Sequence, residues 1–148
     1  YLISPSDAAG AGLQTYDAVL AHIFNTHRTT STAKESWRNA MRKREAEYPT
    51  GIELEGYSIA IPHCDSEHAN QPAIYIIRLP DAIPVNRADE DGILWVRLVV
   101  NLIVTDPADQ LRLLKPLFNH LQNEEFYQNL LTLPVDDAKA LFVSKIIQ

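Results

Sequence analysis

Residues 93–107 read ILWVRLVVNLIVTDP. From Ile93 to Thr105 the chain is nearly all apolar and rich in β-branched residues, which predicts a central strand buried on both faces. Asp106-Pro107 then reads as a helix start, with Asp106 as N-cap and proline at the first helical position, where a missing N–H costs nothing. A buried strand running into a capped helix is the pattern of a sheet covered by helices. The apolar stretch Ile93 to Val104 is too short to span a bilayer, and it carries Arg97 and Asn101.

Working outward, Tyr57 to Ile61 reads as a strand that stops at Pro62, and Ala73 to Leu79 as another. A short strand between Gly51 and Glu55 pairs with Tyr57 to Ile61 as a hairpin around Glu55-Gly56. Pro80 to Gly92, with Pro84 inside it, reads as a long polar connection. Upstream, Thr15 to Asn25 places Val19, Leu20, Ile23 and Phe24 on one helical face. Thr32 and Glu35 have the spacing of a capping box and predict a second helix to about Tyr48. Pro49 ends it, and Gly51 begins a turn. Downstream, Leu111, Leu114, Phe118 and Leu121 share a helical face that Pro116 is expected to kink or split. Glu124 to Leu131 and Val135 to Ile147 are further helices. The order is α-α-β-β-β-α-α-α, an α/β fold. The first ten residues are small and polar, expected to be ordered only by docking.

The chain has 148 residues, the size of one domain. Hydrophobic residues make up 46% and charged residues 22%, a globular rather than disordered composition. Thirteen basic and nineteen acidic residues leave a net charge of −6, which disfavours nucleic acid and anionic membrane surfaces as partners. The lone cysteine, Cys64, excludes an internal disulfide and fits a reducing, cytosolic setting. The start YLISPSDAAG has neither the basic nor the apolar region of a secretory signal. It lacks an initiator Met, as expected of a chain trimmed from a longer one.

The densest reactive set is PHCDSEH, Pro62 to His68, directly after a strand, where ligands of α/β sheets gather. The segment reads equally as a solvated polar loop. Three chemistries compete with that reading: a metal held by His63, Cys64 and His68, a Cys64 nucleophile, and His63 as a phosphoryl acceptor. Only one cysteine is available for a metal, and neighbouring residues of an extended chain point apart, which separates Cys64 from His63. Arg38, Arg42, Lys43 and Arg44 form a basic cluster on the second helix, either solvated beside Glu35, Glu45 and Glu47 or turned to phosphate. No Walker-type or GxGxxG loop is present.

Arg44-Glu45, Pro49-Thr50-Gly51 and IAIPH at residues 59–63, in that order, resemble the enzyme IIA family of the fructose/mannitol type, components of the bacterial phosphoenolpyruvate-dependent sugar phosphotransferase system (PTS). The resemblance continues through the long strand and the helix near Leu111. IPHCDSEHA, PAIYIIR and DQLRLLKPLF resemble the galactitol-type branch. The resemblance implies one EIIA type-2 domain over residues 1–148, a mixed β-sheet with helices on both faces. It implies that His63 takes a phosphoryl group from the phosphocarrier protein HPr and passes it to a cysteine of the cognate enzyme IIB, with the membrane reached only through enzyme IIC. It implies too that the phosphate is carried on Nε2, that Nδ1–H binds a nearby acceptor, and that no metal or organic cofactor is needed.

By the same resemblance Arg44 stabilises the phosphate, Glu45 orients Arg44 or pairs nearby, Pro62 fixes the chain entering His63, and Cys64 shapes the pocket as a small side chain. Backbone N–H groups after His63 hold the remaining oxygens. The family's second histidine falls at Gln110, so that role does not carry over. His68 is either a substitute imidazole or a loop residue, His120 matches no motif position, and His22 and His27 read as surface or boundary residues. The alternative role is a regulatory IIA-like domain, phosphorylated at the same histidine but acting by partner binding.

Overall fold

The computed structural model describes residues 2–7, 15–89 and 91–147. Its sheet runs in the order β1 (Leu2–Asp7), β4 (Ala73–Asn86), β5 (Ile93–Ile103), β3 (Tyr57–Ala60), β2 (Gly51–Leu54). β5 is central, antiparallel to β4 and parallel to β3, while β1 lies parallel to β4 and β2 antiparallel to β3, so the sheet is mixed. The expected 51–55/57–61 hairpin forms, with Gly56 turning at φ 87°. Leu2 to Asp7 adds an edge strand that the polar composition hid, because pairing needs only backbone groups. Tyr1 and residues 8–10, the rest of the ten-residue start expected to be ordered only by docking, lie outside the described residues.

Helices cover both faces. α1 (Tyr16–Thr29) and α2 (Ser36–Glu47) set Val19, Ile23, Trp37 and Met41 against Tyr75, Ile77, Val99 and Ile103. α3 (Pro107–Leu121), α4 (Glu124–Thr132) and α5 (Val135–Phe142) set Leu113, Leu117, Leu130 and Phe142 against Ile59, Ile74, Leu98 and Val100. Only the second half of β5, from Leu98, is buried on both faces. In its first half Leu94 and Val96 are buried, whereas Ile93 is 59% and Trp95 65% exposed. The continuous apolar run therefore overstated the burial.

Several local expectations are corrected. Residues 80–86 are not a polar connection: β4 continues to Asn86 past an irregularity between Arg78 and Ile83. Ile83 and Val85 alternate inward, and Pro84 is tolerated because β1 is paired only as far as Arg78, leaving this stretch an edge. The Thr32–Glu35 capping box does not form. Glu35 precedes α2 without a side-chain cap, and buried Thr32 bonds Thr30 and Gln71 through its hydroxyl while its carbonyl accepts from Asn70 and Gln71. On α3 the buried stripe is Leu113, Leu117 and Leu121; Leu114 and Phe118 are partly covered and Leu111 is 74% exposed. α3 is not split at Pro116. The last predicted helix ends as α at Phe142 and continues as a π turn over Val143–Ile147.

Gly51 sits where β2 starts, and its carbonyl accepts from Ala88 N–H at 2.8 Å. A Cβ there would lie 2.4 Å from the Asn86 carbonyl oxygen, so backbone would have to move. Gly51→Ala is expected to cost about 1–3 kcal/mol of stability, the usual range for overpacking, read as a lowered urea midpoint at unchanged slope.

Candidate functional site

β3 ends at Ala60, but the chain stays beside β5. Leu102 N–H donates to the Pro62 carbonyl at 3.2 Å, and His63 forms an isolated parallel bridge with Leu102. This pairing fixes His63 just beyond the carboxyl end of β3. Its Nδ1 is 2.7 Å from the Ile61 carbonyl, and the ring is half-buried. A carbonyl only accepts, so Nδ1 carries the proton and Nε2 keeps its lone pair. Burial holds the His63 pKa below the ordinary histidine value; the Ile61 hydrogen bond opposes this, and the positive charge of Arg44 adds to it. The site therefore presents a neutral imidazole with a defined tautomer.

Arg44, in the last turn of α2, extends one guanidinium nitrogen to 3.5 Å from Asp65 Oδ1 and lies 6.0 Å from the Tyr48 ring centroid. Its Nε is buried with no acceptor among the described residues. Lys43, Arg44, Tyr48, Cys64, Asp65 and His68 line a cleft of about 300 Å³. The basic cluster expected on α2 divides. Arg42 makes paired bonds of 2.9 and 2.7 Å to Asp17, and Arg38 covers Phe24, which leaves Lys43 and Arg44 for the cleft.

Glu45 makes its hydrogen bonds to residues other than Arg44. It accepts from Thr50 Oγ at 2.5 Å, Thr50 N–H at 3.2 Å and Tyr16 Oη at 3.0 Å, and so ties the Pro49-Thr50-Gly51 turn to α1 and α2. The Arg-Glu pair thus joins two tasks on adjacent residues: one side chain in the cleft, the next in the scaffold. Cys64 is buried, and burial pushes its thiol up to about 12, which leaves negligible thiolate at neutral pH. Among the described residues no three His, Cys, Asp or Glu side chains are placed to hold a metal ion.

His68 meets Ser36 Oγ at 2.8 Å through Nδ1 and lines the cleft. Its loop is docked on the α1–α2 turn by the Ala33–Ala69 bridge and by Lys34 N–H to the His68 carbonyl at 2.9 Å. Gln110 lies in the first turn of α3, outside the cleft lining. His120 packs beside Phe126, and His22 meets Tyr75 Oη at 3.0 Å as a boundary residue. His27 is neither the surface nor the boundary residue expected. It is 2% exposed and bonded to Asn101, which is itself fully buried. A lone amide in the buried half of an apolar strand was the available sequence signal for this pair, since such a group needs partners.

Residues 10–143 match the family model described as phosphoenolpyruvate-dependent sugar phosphotransferase system, EIIA 2. The chain belongs to this family. It is 41% identical over 129 residues to the galactitol-specific EIIA component of the PTS of Escherichia coli K12, covering 87% of this chain and 86% of that protein. Over 98 residues it is 35% identical to multiphosphoryl transfer protein 2 of the same strain, covering 66% of this chain but 11% of that much longer protein. Among solved structures, the Escherichia coli complex of mannitol enzyme IIA with phosphorylated enzyme IIB superposes with a TM-score of 0.74 at 20% identity, over 97% of this chain and 99% of that one. The nitrogen regulatory protein IIA of Neisseria meningitidis superposes at 0.67 with 14% identity, over 95% and 91%. These two share the fold. As an EIIA component the chain is a phosphotransferase and phosphoryl carrier of the PTS, homologous to the galactitol-specific one. No helix among the described residues is long and apolar enough to cross a membrane.

The geometry sets the direction of the His63 titration. Its midpoint in ¹⁵N-resolved NMR is expected below the ordinary value of about 6.5, with the Nδ1–H tautomer above it. Because Arg44 lowers the value, Arg44→Gln is expected to raise the midpoint. A midpoint at or above that ordinary histidine value would contradict this account.

Proposed function

We propose that His63 accepts a phosphoryl group on Nε2 from phospho-HPr and passes it to a cysteine of a cognate enzyme IIB, in the cytoplasm, for uptake of a galactitol-type sugar alcohol. The observation that carries the reading is the 2.7 Å contact from His63 Nδ1 to the Ile61 carbonyl, which leaves Nε2 as the nucleophile. In the first step the N–P bond of the donor phosphohistidine breaks as the Nε2–P bond forms. Nδ1 keeps its proton throughout, so the reaction needs no base at His63. In the second step the Nε2–P bond breaks as a thiolate–phosphorus bond forms on the partner.

Such transfer has a loose transition state and asks mainly for positioning and charge. Arg44 supplies the charge, and its buried, unpartnered Nε–H is a donor to which a phosphate oxygen offers an acceptor. Lys43 lines the same cleft. Cys64 lines the cleft as a small buried side chain and stays out of the chemistry, in keeping with its raised pKa. The galactitol assignment is supported by the 41% identical relative, and it favours a transport role over a regulatory one.

With phosphoenolpyruvate, enzyme I and HPr, the wild type is expected to become labelled and His63→Ala to stay unlabelled. Arg44→Gln is expected to slow labelling about 10- to 100-fold, the equivalent of one charge-assisted contact of about 1.5–3 kcal/mol. Labelled His63→Ala would overturn the acceptor. Labelling of the wild type without onward transfer to a galactitol-type enzyme IIB would overturn the transport role and leave the regulatory one.

A further inference from the structure

Behind the site lies a buried polar relay that the transfer chemistry does not itself use. His27, in the last turn of α1, sets Nε2 at 2.7 Å from Asn101 Oδ1, and Asn101 Nδ2 lies 3.0 Å from the Pro62 carbonyl. All of it is shielded from water: Asn101 is 0% and His27 2% exposed. The donor order follows from chemistry. The Pro62 carbonyl only accepts, so the amide must present Nδ2 to it. Oδ1 then faces His27 and must receive Nε2–H. His27 is therefore the Nε2–H tautomer, and its Nδ1 is a buried lone pair with no partner among the described residues. Trp37 and Tyr75 hold the ring edge-on, with centroids at 5.9 and 5.8 Å.

The far end of the relay is the peptide from which His63 projects. Pro62 has no N–H, so this segment cannot be tethered through a backbone donor at that residue. Its carbonyl carries the load instead, accepting from Leu102 N–H on β5 and from Asn101 Nδ2. One residue earlier, the Ile61 carbonyl receives His63 Nδ1–H. The plane of the Pro62–His63 peptide and the direction of the His63 ring are thus set together.

We propose that His27 and Asn101 are positioning residues for His63: the chain His27 Nε2–H to Asn101 Oδ1, and Asn101 Nδ2–H to Pro62 O, fixes the peptide that aims the His63 Nε2. The inference rests on His63 being the phosphoryl acceptor for its effect on transfer, but not for its effect on ring geometry. Neither residue touches the reacting atoms. Their contribution is to keep the imidazole in one orientation without adding a charge behind it. A protonated His27 would bury an N–H at Nδ1 with no acceptor, so the neutral form suits this place.

The test compares His27→Phe, which keeps a packed ring but removes the donor, with His27→Gln, whose amide can again donate to Asn101. Two quantities are read on the full chain: kcat and KM for phosphorylation by phospho-HPr, and the ¹⁵N signals of the His63 ring in the unphosphorylated protein. His27→Phe is expected to lower kcat about tenfold or more, with KM within about twofold, since misplacement of a nucleophile acts on the chemical step. It is also expected to move the His63 ring signals away from those of the single Nδ1–H tautomer. His27→Gln is expected to recover both. A fall in kcat of less than about fivefold, unchanged ring signals, or His27→Gln no better than His27→Phe would each overturn the proposal. Should His27→Phe not fold, Asn101→Leu breaks the same relay at its second link and is judged by the same kcat and ring-signal outcomes. Failure of the acceptor assignment is seen separately, as labelling that survives His63→Ala.

Discussion

The pairing of the chain after β3 with β5 is the constraint on which the site depends. A proline precedes His63, so ordinary ladder bonding cannot hold the segment from both sides. The Pro62 carbonyl must be held by what β5 offers, its Leu102 N–H and its Asn101 side chain. β5 can serve as that anchor because it is the central strand, buried on both faces from Leu98 onward. Two helical layers pack against it, and any shift of β5 would disturb both. The position of one imidazole is thereby coupled to the best-packed part of the molecule.

The cleft lined by the next residue, Cys64, is assembled by a different part of the scaffold. α2 contributes Arg44, and the loop after His63 contributes Asp65 and His68. The Thr32 carbonyl, Lys34 and the Ala33–Ala69 bridge hold that loop to the α1–α2 turn. Glu45 anchors the C-terminal end of α2 to the Thr50 turn, where Gly51 admits the Asn86 backbone. Adjacent residues of one helix thus divide the work. The polar scaffold lies in the buried joints, and Lys43 and Arg44 lie at the cleft. The surface ion pairs Arg42–Asp17 and Arg44–Asp65 are exposed enough that water and salt screen them, and packing rather than charge carries this arrangement.

Much of this was legible along the chain. Local signals held where they depended on near neighbours: the Asp106-Pro107 helix start, the Glu55-Gly56 hairpin, and the apolar face of α1. They failed where a distant element intervened. Thr32 and Glu35 had capping spacing, but Thr32 was drawn into bonds with residues 70 and 71 that no local pattern announces. Pro84 argued against a strand, yet an edge position made it harmless. Leu111 fitted an apolar stripe, but the packed stripe was one set by Leu113 and Leu117.

By itself the sequence determined the family and the strand that leads into His63, and it pointed to Arg44. These are carried by residue types in fixed order: a proline before His63, an Arg-Glu pair, a Thr-Gly turn. Only the tertiary structure decided which atoms meet. The Ile61 carbonyl as partner of Nδ1, the division of the basic cluster, and the burial of His27 against Asn101 join residues that lie up to 74 positions apart in the chain. Side-chain direction in such contacts is set by packing between layers, which spacing along one element does not encode. The same histidine type therefore serves as a buried support at position 27 and a presented imidazole at position 63.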